Sequence, residues 1–498
     1  MLYTSTRNNS LRVSAAQAIA QGISEEGGLF VPCEIPEFTL SDIEKMVNMP
    51  YIDRAKTILK TFLTDFTEEE LTYCVEGAYG GNKFTSEKIA PVVNVNGNEN
   101  ILELWHGPTC AFKDMALQLL PYLMTVSAKK TVDGKEIVIL VATSGDTGKA
   151  ALEGFKDVEN TRILVFYPVD GVSPMQKLQM TTQEGENVAV CAIKGNFDDA
   201  QTAVKAIFTN DEIKAQLAKK DMMFSSANSI NWGRLVPQIV YYFSAYADMV
   251  EQGRIELGDE INVVVPTGNF GNILAGYYAK LMGVPIKKLI CASNSNNILT
   301  DFLTKGEYNR NRTFYTTTSP SMDILISSNL ERLLYHISGN DDTLVKELMS
   351  QLNECGVYKV SEEMLGEIRH YFDAGFADEY QVRKTIQTQF NDYKCLLDPH
   401  TAVAVNVYYS YVKRTDDDVP TVIDSTASPF KFPKSVYSAV FDGTEVKMTE
   451  FETIDEINEV LGVEIPEPIK ALKNKKVRFT NVCSKEDMSE MVFNLLNL

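Results

Sequence analysis

The sequence has little that could hold a metal through sulfur or imidazole. Its 498 residues include 8 cysteines and 4 histidines. The cysteines stand singly between Cys33 and Cys483, with no CxxC pair and no histidine cluster beside them. This spacing disfavours a disulfide framework or a structural zinc site and predicts reduced, mostly buried thiols. Basic residues are also few, since 47 Lys and Arg against 67 Asp and Glu leave a net charge of −20. Sequence-independent binding to nucleic acid or to an anionic membrane needs clustered positive charge, so neither partner is expected. A small anionic substrate is not excluded, because a pocket can be locally positive. No segment approaches the roughly 18 uninterrupted apolar residues of a membrane span. Met1 to Ser10 (MLYTSTRNNS) has no basic stretch followed by an apolar run, and a soluble, cytoplasmic protein is expected. Repeats and low-complexity tracts are likewise missing.

Hydrophobic residues make up 44% of the chain, enough for a sizeable core in about three domains or in one large domain with insertions. Ser41 to about Gly80 is patterned as helices, with Thr67 and Glu70 placed as a capping box, and a helical N-terminal module ends near Gly80 and Gly81. From Glu136 the pattern alternates. Strands are predicted at Glu136 to Ala142, Arg162 to Tyr167, Asn187 to Ile193, Glu260 to Val265 and Ile286 to Ala292. Helices are predicted at Ala200 to Lys219, Arg234 to Glu251 and Asn272 to Leu281. Such alternation implies an α/β fold with a parallel sheet covered on both faces, and ligands then bind at the carboxyl ends of strands. The stretch 300 to 390 reads as a charged, mostly helical extension. The α/β pattern returns at Asp398 to Tyr411 and Thr421 to Asp424, and the last 50 or so residues read as polar and peripheral.

Four loops could carry chemistry. In the first, strand Glu136 to Ala142 runs into Thr143-Ser144-Gly145-Asp146-Thr147-Gly148 before a helix, where hydroxyls and free N–H groups suit a carboxylate or phosphate. Strand Glu260 to Val265 ends in Pro266-Thr267-Gly268-Asn269-Phe270-Gly271-Asn272, whose glycines let the backbone approach an anion. This turn has neither GxGxxG nor the GK[ST] of a P-loop, so no nucleotide reading is supported. A capped turn without ligand accounts for either loop equally well. Lys113, in Trp105-His106-Gly107-Pro108-Thr109-Cys110-Ala111-Phe112-Lys113-Asp114, precedes an apolar helix, where desolvation would depress its pKa and suit Schiff-base formation. An ordinary surface lysine is the alternative. The fourth loop, Ser225 to Arg234, gathers hydroxyl, amide and guanidinium donors and reads either as a phosphate clamp or as an N-cap with a surface arginine.

Taken in order, HGPTCAFKD, TSGDTG, SSANSINWGRLVPQ, PTGNFGN, DPHTAVAV and DSTASPFKF resemble the threonine synthase family, whose members depend on pyridoxal 5′-phosphate (PLP). The N-terminal YTSTRNNS and SAAQAIAQGISEEGGLFVP resemble that family's first domain, so the likeness runs from about Leu2 to Pro433. The resemblance implies PLP-dependent fold type II (tryptophan synthase β-like), with two parallel or mixed-sheet lobes behind a helical N-terminal domain. Its implied boundaries are an N-terminal domain over 1–88, a catalytic domain over 89–440 and a C-terminal extension over 441–498.

The resemblance also implies roles. Lys113 would carry PLP, Gly268, Asn269, Phe270, Gly271 and Asn272 would cradle its phosphate, Asp146 would lie near its 3′-oxygen and Thr426 would meet its pyridine nitrogen. Thr143, Ser144 and Thr147 would hold the substrate carboxylate, while Asn228, Ser229 and Arg234 would hold the substrate phosphate. No metal is implied. Where the family often reads TAHP, this chain has Thr426-Ala427-Ser428-Pro429. The implied reaction converts O-phospho-L-homoserine and water to L-threonine and phosphate, in a monomer or homodimer. The alternatives are a PLP-dependent phospholyase releasing 2-oxobutyrate and a non-catalytic homologue.

Overall fold

The structure is a computed structural model that describes residues 1–132, 134–143, 145–170 and 172–496, without the side chains of residues 197, 198 and 209. Two sheets organise the chain. The first runs Asn481–Ser484, Val188–Lys194, Thr161–Pro168, Glu136–Ala142, Met222–Ser225, with every pair parallel. Its inner strands are continuous β-branched and apolar runs, as a sheet buried on both faces requires. The second runs Phe372–Phe376, Ile286–Ser293, Ile261–Pro266, Thr421–Ser425, Glu99–Glu103, Val92–Asn96, and is parallel except for its last pair.

Helix Trp232–Glu251 is buried along nearly its whole length. A helix apolar on every face needs partners all round, and here they include the helices Tyr51–Phe62, Asp114–Leu117 and Gly271–Leu281. Arg54 of the N-terminal module reaches into this core. Its guanidinium donates to Ser244 Oγ at 2.7 Å and pairs with Asp248 at 2.6 Å, with both side chains buried. The module is thereby anchored to the helix that begins in the Ser225 to Arg234 loop.

Several elements differ from the sequence reading. The N-terminal module is not purely helical, because Asn8–Val13, Tyr3–Ser5 and Phe30–Pro32 form an antiparallel sheet. The helix predicted over Ala200 to Lys219 is two helices, Phe197–Thr209 and Asp211–Ala218, broken where the Asn210 side chain caps the second. Residues 300 to 390 supply the edge strand Phe372–Phe376, and the polar C-terminus supplies the edge strand Asn481–Ser484. Strands of three to six residues at sheet edges carry too few side chains to show a period.

Helix Asp146–Phe155 packs against the turn after Lys113 so closely that a Cβ on Gly154 would lie 1.9 Å from the Leu117 carbonyl oxygen. Backbone cannot yield as a side chain does, so Gly154→Ala is expected to destabilise the protein by about 2–3 kcal/mol, read from its urea midpoint.

Candidate active site

Strands Glu99–Glu103 and Thr421–Ser425 are parallel neighbours, so the loops leaving their carboxyl ends emerge side by side. Phe112 N donates to Thr426 O at 2.8 Å, Ser428 N donates to Cys110 O at 3.0 Å, and Ala111 bridges Ala427. Asp114 closes the turn from inside by accepting from Thr109 N and Thr109 Oγ1, each at 2.8 Å. Lys113 stands at the start of the helix Asp114–Leu117 and is only 9% exposed. Its Nζ donates to Ser321 Oγ at 3.3 Å and lies 5.0 Å from the centre of the Phe112 ring. Burial draws its pKa down to about 8; Asp146 and Asp114 oppose that shift, while Arg234 and Lys431 add to it.

Asp146 opens the helix that follows strand Glu136–Ala142. Its Oδ1 pairs with the buried Lys431 at 2.8 Å and accepts from Gln176 Nε2 at 3.2 Å. Burial alone would raise the Asp146 pKa, but Lys431 and Lys113 outweigh it and hold the carboxyl ionised, well below the usual range. Lys431 also donates to Thr109 O at 2.9 Å. One buried cation thus ties the first sheet's loop to the loop that carries Lys113.

The other expected residues divide into those with free side chains and those already engaged. Thr147, Asn228 and Thr426 make no side-chain hydrogen bond among the described residues; Thr426 is 5% exposed, Thr147 half-buried and Asn228 exposed. Ser229 Oγ lies 3.5 Å from Ser328 Oγ. Ser144 is outside the described residues. Thr143 is engaged within its own turn, its hydroxyl accepting from Gly145 N and Gly148 N at 3.0 Å each.

At the glycine turn, Phe270 takes a left-handed φ of 63° and helix Gly271–Leu281 has no side-chain cap. Its first N–H groups therefore lack intrahelical acceptors and face the loop. Asn269 is exposed and Gly268 half-buried. Gly268 passes so near the turn Pro320–Met322 that a Cβ there would lie 2.5 Å from Ser321 O. The side chain of Asn272 is already engaged. It turns inward, donating to Asp424 Oδ2 at 3.0 Å and accepting from Tyr241 OH and Tyr242 OH, so only the backbone is left for a ligand.

Arg234 is buried, donates to Ala227 O at 3.0 Å and pairs with no carboxylate among the described residues. Burial lowers its pKa to about 10. A buried guanidinium without a counter-ion calls for an anion from outside the chain.

Sequence reasoning assigned no role to Ser321, His400, Asp398, Lys431 or Gln176. His400, Asp398 and Lys431 lie inside two of the motifs that carried the resemblance, which was the only local signal for them. Ser321 lies in the Ser/Thr-rich stretch 316 to 321 and had no signal beyond composition.

The comparisons with known proteins bear on this geometry. Residues 2–79 match the family described as threonine synthase N terminus and residues 401–492 match threonine synthase, C-terminal. Threonine synthase of Pseudomonas aeruginosa is 40% identical over 88% of this chain and 90% of its own length. The chain belongs to the threonine synthase family. Threonine synthase-like 1 of Homo sapiens is 41% identical over 85% of this chain, which spans 58% of that relative's length. The crystal structure of PLP-bound threonine synthase from Brucella melitensis superposes with a TM-score of 0.88, at 37% identity and 99% coverage of both chains. The family's α/β architecture, fold type II, is the one described above.

Beneath the site, burial raises the Asp424 pKa to about 7, against the hydrogen bonds from Tyr242 and Asn272. Its Oδ1 has no partner among the described residues. Because the folded value exceeds that of an unfolded carboxyl, the stability this group contributes is full below about pH 4 and is lost as pH rises through about 7. Asp424→Asn is expected to remove that share of the pH dependence, on the order of 4 kcal/mol, from urea denaturation compared at pH 4 and pH 8.

Proposed function

We propose that the chain binds PLP at Lys113 and converts O-phospho-L-homoserine and water to L-threonine and phosphate. The observation that carries this reading is a buried amine drawn down to about 8, set among a buried guanidinium with no carboxylate partner among the described residues and a helix start without a side-chain cap there. An aldehyde cofactor bearing a phosphate and a substrate bearing another phosphate would together use all three.

In this reading Gly268, Asn269, Phe270, Gly271 and Asn272 hold the cofactor phosphate through backbone N–H groups, with the positive end of the helix behind them. Asp146, kept ionised by Lys431, takes the 3′-oxygen side of the ring. Thr426 offers a hydroxyl to the pyridine nitrogen. A hydroxyl there, in place of a carboxylate, leaves that nitrogen largely neutral and suits elimination and replacement more than transamination. When bound, PLP supplies the electron sink for carbanion chemistry.

The remaining chemistry belongs to the chain. Lys113, partly neutral near pH 8, takes the proton from the substrate Cα and gives it up before taking one from Cβ; it delivers that second proton to Cγ in place of the leaving phosphate, and after water has added at Cβ, its proton passing to the departed phosphate, it returns a proton to Cα. Arg234, Asn228 and Ser229 hold the phosphate that leaves Cγ, where a charge-assisted donor gains strength as charge accumulates on the oxygen. Thr143, Ser144 and Thr147 hold the substrate carboxylate, Thr143 by way of the turn it builds.

A cytoplasmic monomer or homodimer completes the proposal. The described residues contain no helix long and apolar enough to cross a membrane and no disulfide among the 8 cysteines, which fits a reducing compartment.

Incubation with PLP and O-phospho-L-homoserine should yield threonine and equimolar phosphate. Release of 2-oxobutyrate would point to the phospholyase, and no product would point to a non-catalytic homologue. Lys113→Ala should abolish turnover together with the visible absorbance of the bound cofactor. Arg234→Ala should raise KM for phosphohomoserine about 30-fold or more, as expected for losing a charge-assisted contact of about 2 kcal/mol, with a smaller effect on PLP affinity. The opposite ranking would refute the separation of the two phosphate sites.

A further inference from the structure

The proposed reaction requires the Lys113 amine to change charge repeatedly without losing its aim. The one side chain hydrogen-bonded to that amine among the described residues is Ser321, at 3.3 Å. Ser321 lies on the short turn Pro320–Met322, whose own grip on the surrounding fold decides where the hydroxyl stands.

Asn294 and Asn296 hold the flanking Ser319 and Asp323, and two backbone contacts hold Ser321 itself. On one side the Ser321 carbonyl rests against the bare backbone of Gly268, so close that no side chain fits between them. On the other side Ser321 N donates to His400 Nε2 at 3.2 Å. A backbone N–H can only donate, so Nε2 must be the unprotonated nitrogen and the ring proton must sit on Nδ1. There it is shared with Asp398 Oδ1 at 2.7 Å.

Asp398 is fixed in turn, because it caps helix Pro399–Thr415 by accepting from His400 N at 2.9 Å and Thr401 N at 3.3 Å. The imidazole is 3% exposed, with the Phe432 ring 5.1 Å away. A buried carboxylate thus sets a histidine tautomer, the histidine sets a peptide N–H, and that peptide carries the hydroxyl that meets the amine.

We propose that Ser321 is a catalytic residue that holds the Lys113 amine in register during its proton transfers, and that the Asp398–His400 pair is the positioning device for Ser321. This inference rests on Lys113 being the working amine. As an ammonium, Lys113 donates one proton to Ser321 Oγ and keeps two for substrate atoms. As a neutral amine it keeps the same bond, which fixes rotation about Cε–Nζ and so the direction of the lone pair. No bond other than N–H is made or broken at Lys113 in these transfers: the proton taken from Cβ ends on Cγ, and the proton taken from Cα is replaced at Cα. The charged groups that act on the amine are Asp146 and Asp114 of one sign and Arg234 and Lys431 of the other.

The test combines two measurements. The first is site-resolved acetylation of Lys113 by acetic anhydride across pH, followed by mass spectrometry, in the full-length protein freed of cofactor. The second is steady-state kinetics of the PLP-loaded enzyme with O-phospho-L-homoserine, with circular dichroism to confirm that each variant folds.

Ser321→Ala removes an acceptor from the ammonium, so the acetylation midpoint should fall by about half to one pH unit. In the same variant kcat should drop about 10- to 100-fold, with KM changed less than about twofold. His400→Leu should reproduce both effects. His400→Gln, whose amide oxygen can accept the Ser321 N–H, should recover most of each. An unmoved midpoint in Ser321→Ala, or a change confined to KM, would overturn the role of Ser321. Equal behaviour of His400→Leu and His400→Gln would overturn the positioning role of His400. Turnover that survives Lys113→Ala would instead sink the assignment of the amine, a result the acetylation midpoints cannot produce.

Discussion

Burying an amine between two sheets costs free energy unless nearby groups offset it, and the carboxyl ends of both sheets meet around that problem. Lys113, Arg234 and Lys431 are all buried, and Asp146 is the carboxylate that pairs directly with one of them. The chain carries a net charge of −20, yet this small volume holds an excess of buried positive charge. Such a pocket favours anions where the surface does not, because charges act more strongly where water is excluded. The neutral fraction of Lys113 follows from the same desolvation that makes its neighbours receptive to phosphate.

The pair Lys431 and Asp146 also acts mechanically. Asp146 begins a helix of the five-stranded sheet, whereas Lys431 follows a strand of the six-stranded sheet and reaches Thr109 in the Lys113 loop. Breaking a buried pair by removing one partner leaves an uncompensated charge, so the contact resists separation of the two sheets at the point where the site lies. Behind it, Asn272 and Asp424 form a second buried polar network with Tyr241 and Tyr242. That network supports the glycine turn from below and leaves the backbone of the turn to face outward.

Legibility varied with the range of the interactions. Strand Glu136–Ala142 was readable to the residue because a continuous β-branched run bounded by turn residues is a local pattern. The loops around Lys113, Asp146, Gly268 and Arg234 were readable as ordered motifs. The inward turn of Asn272 was not, since nothing in PTGNFGN distinguishes an amide aimed at a ligand from one aimed at two tyrosines. The same holds for Thr143, whose hydroxyl closes its own turn. Residues 300 to 390 looked like an extension because charge and helical period dominate there, although the segment supplies both Ser321 and a sheet edge.

Composition and motif order by themselves determined the α/β class, the positions of the main strands and the family likeness, since each depends on neighbours in the chain. Which groups meet was decided only by the tertiary structure. Ser321 reaches Lys113 across 208 positions and Lys431 reaches Thr109 across 322. Contacts at such separation arise from the parallel order of strands, which places distant loop ends side by side. A residue such as Ser321 therefore acquires its chemistry from what packs against it, and its near neighbours in sequence carry no trace of that.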